Sequence, residues 1–252
     1  MARRTTTLAI AFLLAAVQAV AQPADKAQTL QYRLAWNGFS AARATVRVIP
    51  DKLGSSPSYT VETTAKTNRF VDLFYRFRGR ARVIFLARNQ TPVQFYYDRR
   101  IRGVRSRTVV DFDLREGRAK SLYVKGGVTK KQLDVPSANL FDPISAIFHA
   151  RHGPSYIGSH IGYDIFTGES RYRVELNVVG RDTIEVPAGT FDALRITPTV
   201  MKVFADRRPP DPRLRQATIW VSNNPDHILL QIRSEIFIGA VTLDLVSHET
   251  AS

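Results

Sequence analysis

Apolar and polar residues alternate with a period of two along most of this chain. That is the period at which a β-strand sends successive side chains to opposite faces. The clearest case is YRFRGRARVIF, residues 75–85, where Arg76, Arg78, Arg80 and Arg82 hold one parity and Phe77, Gly79, Ala81 and Val83 the other. On a helix these arginines would spread around much of the circumference, so the spacing predicts a strand with one cationic and one apolar face. The same alternation predicts strands over 29–37, 41–50, 58–67, 74–87, 93–101, 104–114, 119–125 and 128–135. A second group covers 160–167, 171–181, 190–203, 215–222, 228–236 and 240–248. Turn-forming pairs separate many of them, including Asn37-Gly38, Arg102-Gly103, Glu116-Gly117, Gly126-Gly127 and Ala188-Gly189. Strands joined by short turns pair antiparallel, since parallel pairing needs long crossovers.

One segment breaks the pattern. Over 142–152, Ile144, Ile147 and Phe148 form a helical stripe, Asp142 stands where an N-cap belongs, and Pro143 fits the first helical position. Arg151 falls in the last turn and Gly153 ends the helix. The expected fold class is therefore all-β. It is an antiparallel, strongly curved sheet, half-open barrel or sandwich of roughly 12–14 strands with one short central helix. No linker composition divides the chain, so residues 22–252 read as a single domain. The segment FADRRPPDPRLRQ, 204–216, reads as an exposed proline-rich loop. Trp220 is expected in the core, and Gly239 at a bulge or a close backbone approach.

The first residues predict export. Arg3 and Arg4 precede an apolar run from Leu8 to Val17, too short to span a bilayer, and Ala19-Val20-Ala21 is a small-x-small cleavage site. Residues 1–21 read as a signal peptide cleaved after Ala21, and the location as periplasmic. The chain contains no cysteine, which excludes disulfides, thiolate metal sites, cysteine nucleophiles and a lipid attached through cysteine.

Charge is distributed unevenly. Residues 22–135 carry 23 Lys+Arg against 9 Asp+Glu, whereas residues 136–252 carry 11 against 13. A basic first half of this kind suits an anionic partner. Ten arginines lie between 76 and 107, too many for Asp98, Asp111 and Asp113 to neutralise. Arg76, Arg78, Arg80, Arg82, Arg100, Arg105 and Arg107 are the candidate ligand-binding residues.

Other chemistry is sparse. Neither a Gly-x-Ser-x-Gly elbow nor a phosphate-binding glycine loop occurs. Asp111 and Asp113 share a strand face, but neighbouring arginines would keep both ionised, which is poor for a general acid. His149, His152 and His160, with Asp142 or Asp164, raise a zinc question, yet the spacing is not that of a zinc-protease helix. No metal and no cofactor are expected. Aromatic residues interleave with the arginines at Phe70, Phe74, Tyr75, Phe77, Phe85 and Phe95–Tyr97, a pattern compatible with single-stranded nucleic acid, but export argues against such a ligand. It equally suits a cavity that is apolar inside and basic at its mouth.

Four stretches together resemble the exported bacterial family called domain of unknown function 3108. These are LQYRLAWNGFSAARATVRV near the start, LFDPISAIFHAR at the helix, VVGRDTIEVPAGTFDALRITP, and ATIWVSNNPDHILLQIRSEIFIGAVTLDL near the end. The resemblance implies export and an all-β fold, and it brings no catalytic residues. At the level of fold alone, a sheet wrapped on a helix looks like the half-open barrels of periplasmic lipoprotein carriers. The expected function is non-enzymatic binding or carrying of an anionic or amphiphilic envelope component: an anionic lipid, lipopolysaccharide or an acidic envelope protein. The alternatives are an envelope hydrolase using Asp111, Asp113 or the helix histidines, and a structural partner of an acidic protein. A deep apolar cavity would favour the carrier, and buried converging titratable groups the enzyme.

Overall fold

The computed structural model describes residues 26–153, 155–203, 211–212, 217–235 and 239–251. The segment predicted to be a signal peptide, with its expected cleavage site, and most of the loop at 204–216 lie outside the described residues. The first half runs β1 (Gln28–Trp36), β2 (Phe39–Leu53), β3 (Ser56–Thr67), α1 (Arg69–Tyr75), β4 (Phe77–Leu86), β5 (Pro92–Ile101), β6 (Val104–Asp113), β7 (Arg118–Lys125) and β8 (Val128–Pro136). Then follow β9 (Leu140–Phe141), α2 (Pro143–Ala150), β10 (His160–Phe166), β11 (Arg171–Val186) and β12 (Gly189–Val203). The last elements are β13 (Asp211–Pro212), β14 (Ala217–Ser222), β15 (Leu229–Glu235) and β16 (Ala240–Thr250). The fourteen long strands correspond to those the alternation predicts; β9 and β13, of two residues each, are additional.

All strands among the described residues belong to one sheet in the order β8-β7-β6-β5-β4-β3-β2-β1-β16-β15-β14-β12-β11-β10-β9, with β13 paired to β12. Every pair is antiparallel except β9 with β10. Because β1 pairs with both β2 and β16, the two halves join into a nearly closed barrel with one seam between β8 and β9. The turn between β10 and β11 bridges this seam: the Ser121 hydroxyl donates to the Gly168 carbonyl at 2.9 Å, and Arg99 pairs with Glu169 at 3.2 Å.

Turn chemistry explains the hairpins. Asn37-Gly38, Arg102-Gly103 and Gly126-Gly127 all take positive φ at both positions, the backbone of a type I′ turn. Gly239 is a close approach, as expected, since a Cβ there would lie 1.9 Å from Asn37 Oδ1.

The apolar parity faces inward. Phe77, Ala81, Val83 and Phe85 of β4 are buried, while Arg80 and Arg82 are exposed. Helix α2 crosses the interior with two working faces. Ile144 and Phe148 join the main core, with Phe148 4.7 Å from the Phe85 ring, whereas Ala146 packs with Tyr163, Ile165, Val174 and Val200 in a second cluster. Asp142 caps the helix by accepting from the amides of Ile144 at 2.7 Å and Ser145 at 3.1 Å. The helix stops at Ala150 with Arg151 as its C-cap, slightly short of the predicted residue 152.

One expectation changes. The strand predicted at 74–87 begins only at Phe77, because residues 69–75 form a second helix whose N-cap, Asn68, accepts from the Val71 amide at 2.8 Å. Arg76 is therefore the C-cap of α1 rather than a strand residue. Trp220 packs against the main core as expected, although only half-buried, and its indole Nε1 donates to Asp182 Oδ2 at 2.8 Å. A carboxylate that is itself half-buried thus accepts from the polar edge of the ring.

Candidate functional site

Strand register assembles a cationic row that no single segment displays. Arg33 of β1 stands opposite Arg43 of β2, Arg43 opposite Lys66 of β3, and Lys66 opposite Arg78 of β4. Arg78 in turn stands opposite Arg100 of β5, and Arg100 opposite Arg105 of β6. Six cations in direct cross-strand register is an unfavourable arrangement, because like charges facing each other destabilise a sheet.

Carboxylates relieve only the ends and the middle. Arg33 pairs with Asp244 at 3.1 Å, Arg78 with Asp72, and Arg105 with Asp98. Asp72 is held down at about 2, chiefly by its hydrogen bonds from Arg78 and Thr67, and Asp98 is lowered chiefly by the hydrogen bond from Arg105. Arg43, Lys66 and Arg100 have no ion pair among the described residues. All six cations border a broad groove of about 1290 Å³.

The seven arginines singled out from the sequence are divided by this geometry. Arg78, Arg100 and Arg105 belong to the row. Arg80 and Arg82 point outward from β4 beside it, opposite Thr64 and Glu62 respectively, and Arg107 of β6 stands opposite Asp98 of β5. Arg76 borders the groove from the end of α1. Sequence reasoning missed Arg33, Arg43 and Lys66. Their own strands carry too few charges to attract attention, and only inter-strand pairing brings them into line.

An apolar patch adjoins the row. Helix α1 is tied to the β1–β2 hairpin by hydrogen bonds from Asn68 to the carbonyls of Ser40 and Ala41. At this rim Phe39 is 81% exposed, Phe70 71%, Leu73 76% and Phe74 66%. Phe70, Leu73 and Phe74 have the i, i+3, i+4 spacing of one helix face. That face is turned to solvent.

The residues weighed for catalysis or metal binding have separate structural partners. Asp111 accepts from Gln94 Nε2 at 2.8 Å, and Asp113 caps a turn by accepting from the amides of Arg115 and Glu116, which lower its pKa. His149 packs against the rings of Phe141 and Tyr163, and burial lowers its pKa. His160 lies 2.8 Å from Asn177 Oδ1, while Asp142 is buried as a helix cap. Asp164 lies 3.7 Å from Arg173 and His152 is exposed, so the histidines and aspartates do not converge.

The chain belongs to the family described as "Protein of unknown function (DUF3108)", whose profile matches residues 31–246. No curated protein matches it. Among solved structures it is similar to a β-barrel-like protein of domain of unknown function DUF1849 from Brucella abortus. The TM-score is 0.56 at 8% identity, covering 90% of this chain and 98% of the other. A protein of Bacteroides fragilis with a YmcC-like fold matches at TM-score 0.41 and 8% identity, over 92% and 99% of the two chains. The hypothetical lipoprotein YmcC from Escherichia coli matches at 0.30 and 9%, over 97% and 93%. The likeness to the Brucella protein supports the barrel-like fold and carries no function with it.

Proposed function

We propose that this protein is a non-enzymatic component of the bacterial envelope, exported to the periplasm, that binds an anionic amphiphile at its outer face. The observation that carries this reading is the in-register row Arg33, Arg43, Lys66, Arg78, Arg100 and Arg105. A sheet gains nothing by facing like charges across its ladders, and an anionic ligand removes the repulsion. The neighbouring Phe39, Phe70, Leu73 and Phe74 supply the apolar contact that an amphiphile needs and a purely acidic polymer does not.

The test is co-sedimentation with vesicles. Binding to vesicles containing phosphatidylglycerol should exceed binding to pure phosphatidylcholine vesicles and should fall as salt rises, because exposed charge is screened. The triple variant Arg43→Gln, Lys66→Gln, Arg100→Gln should lose most of this preference while keeping the fold. Equal binding to both vesicle types, or an unaffected triple variant, would remove the basis of the proposal. Binding to a soluble acidic protein without any vesicle binding would replace the amphiphile with a protein partner.

A further inference from the structure

The second half of the barrel contains a half-open apolar pocket, remote in sequence from the basic row. Its volume is about 190 Å³. Helix α2 contributes Ile147 and Ala150 to its wall, and the inner face of the sheet contributes Ile161, Leu176, Ile196 and Ile219. These six residues remain only half-buried although they face inward. Space of this size lined by aliphatic side chains suits small apolar molecules; even an enclosed cavity of about 150 Å³ admits benzene.

One cation lines the same pocket. Arg151, at the C-cap of α2, is 9% exposed. Its Nη2 donates to the carbonyl of Asp226, its Nε has no acceptor among the described residues, and it has no ion pair there. Burial pushes its pKa down to about 10, which leaves it charged at neutral pH. The carboxylate of Asp226 attracts it from beyond ion-pair distance. His227, next in sequence to Asp226, also lines the pocket, and His248 Nε2 is buried without a hydrogen-bond partner among the described residues. A buried guanidinium with an unmet donor is costly, and an anion supplied from outside satisfies it.

We propose that this pocket binds a fatty acid, with its acyl chain along the aliphatic wall and its carboxylate on the guanidinium of Arg151. The site stands on observations separate from the outer basic row and does not depend on that row binding anything. The head accounts for the Nε donor that no described residue accepts from, and the chain accounts for inward apolar side chains that remain half-buried among the described residues.

The experiment is displacement of a fluorescent fatty-acid probe from the purified protein, with native mass spectrometry for stoichiometry. Three competitors share one chain: dodecanoate, dodecanol and dodecyltrimethylammonium. Dodecanoate should bind one to one, at least tenfold more tightly than dodecanol, and the ammonium should not compete. Arg151→Gln should abolish the preference for dodecanoate over dodecanol, and Arg151→Lys should restore part of it. Ala150→Phe, which fills the pocket, should abolish binding of both. The triple variant of the outer row should bind dodecanoate like the wild type. Equal affinities for acid and alcohol in the wild type would overturn the role of Arg151, a test that needs no variant to fold. Undiminished binding by Ala150→Phe, or loss of binding in the outer-row variant, would place the ligand outside the pocket and end the proposal.

Discussion

The guanidinium of Arg78 grips both carboxylate oxygens of Asp72, with Nη1 2.9 Å from Oδ1, and thereby fastens α1 to β4. Asp72 also accepts from the Thr67 hydroxyl. The pair therefore does two things: it orients the exposed apolar helix, and it neutralises one member of the cationic row. The carboxyl is held at about 2, below its ordinary value of 3.8, chiefly by these hydrogen bonds. For an acid with a depressed folded pKa, the stabilisation is complete above pH 3.8 and lost only as pH falls toward 2. Attachment of α1 should thus be constant from pH 8 to pH 5, as read by hydrogen exchange of the α1 amides. Asp72→Asn should speed that exchange and strengthen vesicle binding per molecule, because Arg78 is released to the row.

Asp142 predicts the opposite pH response. It is fully buried, Oδ2 has no hydrogen-bond partner among the described residues, and burial pushes its pKa up to about 6 against the restraining effect of its hydrogen bonds with Ser145 and Ile144. The folded state then holds a proton that the unfolded chain has released. Stability should fall as pH rises from about 4 to 6, by a contribution on the order of 2–3 kcal/mol, and level off above. Urea melts at closely spaced pH values measure this. Asp142→Asn keeps a capping side chain and should flatten the curve in that window, whereas Asp142→Ala should lose about 0.5–2 kcal/mol of capping. A wild-type curve that rises over the same interval would reverse the assignment.

How far the sequence carried these conclusions depended on the range of the interaction. The inward and outward faces of β4 were legible because parity is a property of neighbouring residues. Asp142 and Pro143 marked the start of α2 for the same reason. Helix α1 was not legible, since Phe70, Leu73 and Phe74 face solvent and the usual link between apolar spacing and burial fails there. The cationic row depends on register. Register across β1–β6 is set by turn lengths and by bulges at Leu34/Ala35 and Ile84/Phe85, which alternation within one strand does not encode. Arg151 and the aliphatic wall come together only because the helix crosses the sheet, so the pocket left no local signal.

The two faces of β4 should respond differently to mutation. Phe77 is buried, and its ring lies over Gly79, where an added Cβ would come within 2.8 Å of Phe77 Cζ. Phe77→Ala should cost about 3–5 kcal/mol and leave vesicle preference intact in whatever fraction remains folded. Arg80→Gln with Arg82→Gln should leave the melting temperature near that of the wild type while reducing binding to phosphatidylglycerol. Unfolding of the arginine variant alongside a silent Phe77→Ala would mean that the faces are reversed.

Gly168 tests the seam. It has φ +78, and an added Cβ would lie 2.4 Å from Thr108 Cγ2 and 2.8 Å from Val110 Cγ2. Its carbonyl accepts the hydrogen bond from Ser121 that joins the two edges. Gly168→Ala combines a left-handed backbone, worth about 1–2 kcal/mol, with overpacking, worth about 1–3 kcal/mol. Exchange should accelerate first in β7, β8 and β10, the strands beside the seam, with β1 and β16 least affected. Uniform acceleration through the sheet would show that the turn contributes only to global stability.

The exposed rim of α1 yields the last prediction. Phe70 and Phe74 contact each other at 5.8 Å and, with Leu73, are exposed beside Phe39. Burying a large apolar side chain is worth roughly 1.5–3 kcal/mol, so a solvent-facing cluster of this kind gains most when something covers it. If the covering surface is the interface of a lipid bilayer, the cationic row lies at the height of the headgroups, and the two contributions act together. Leu73→Ser with Phe74→Ser should then leave thermal stability unchanged, because neither side chain contributes to the core. Binding to phosphatidylglycerol vesicles should weaken at least tenfold, and what remains should depend more steeply on salt, since only the electrostatic part is left. Loss of stability without loss of binding would mean that the cluster supports the fold. Loss of binding to a second protein, with vesicle binding unchanged, would identify the rim as a protein contact.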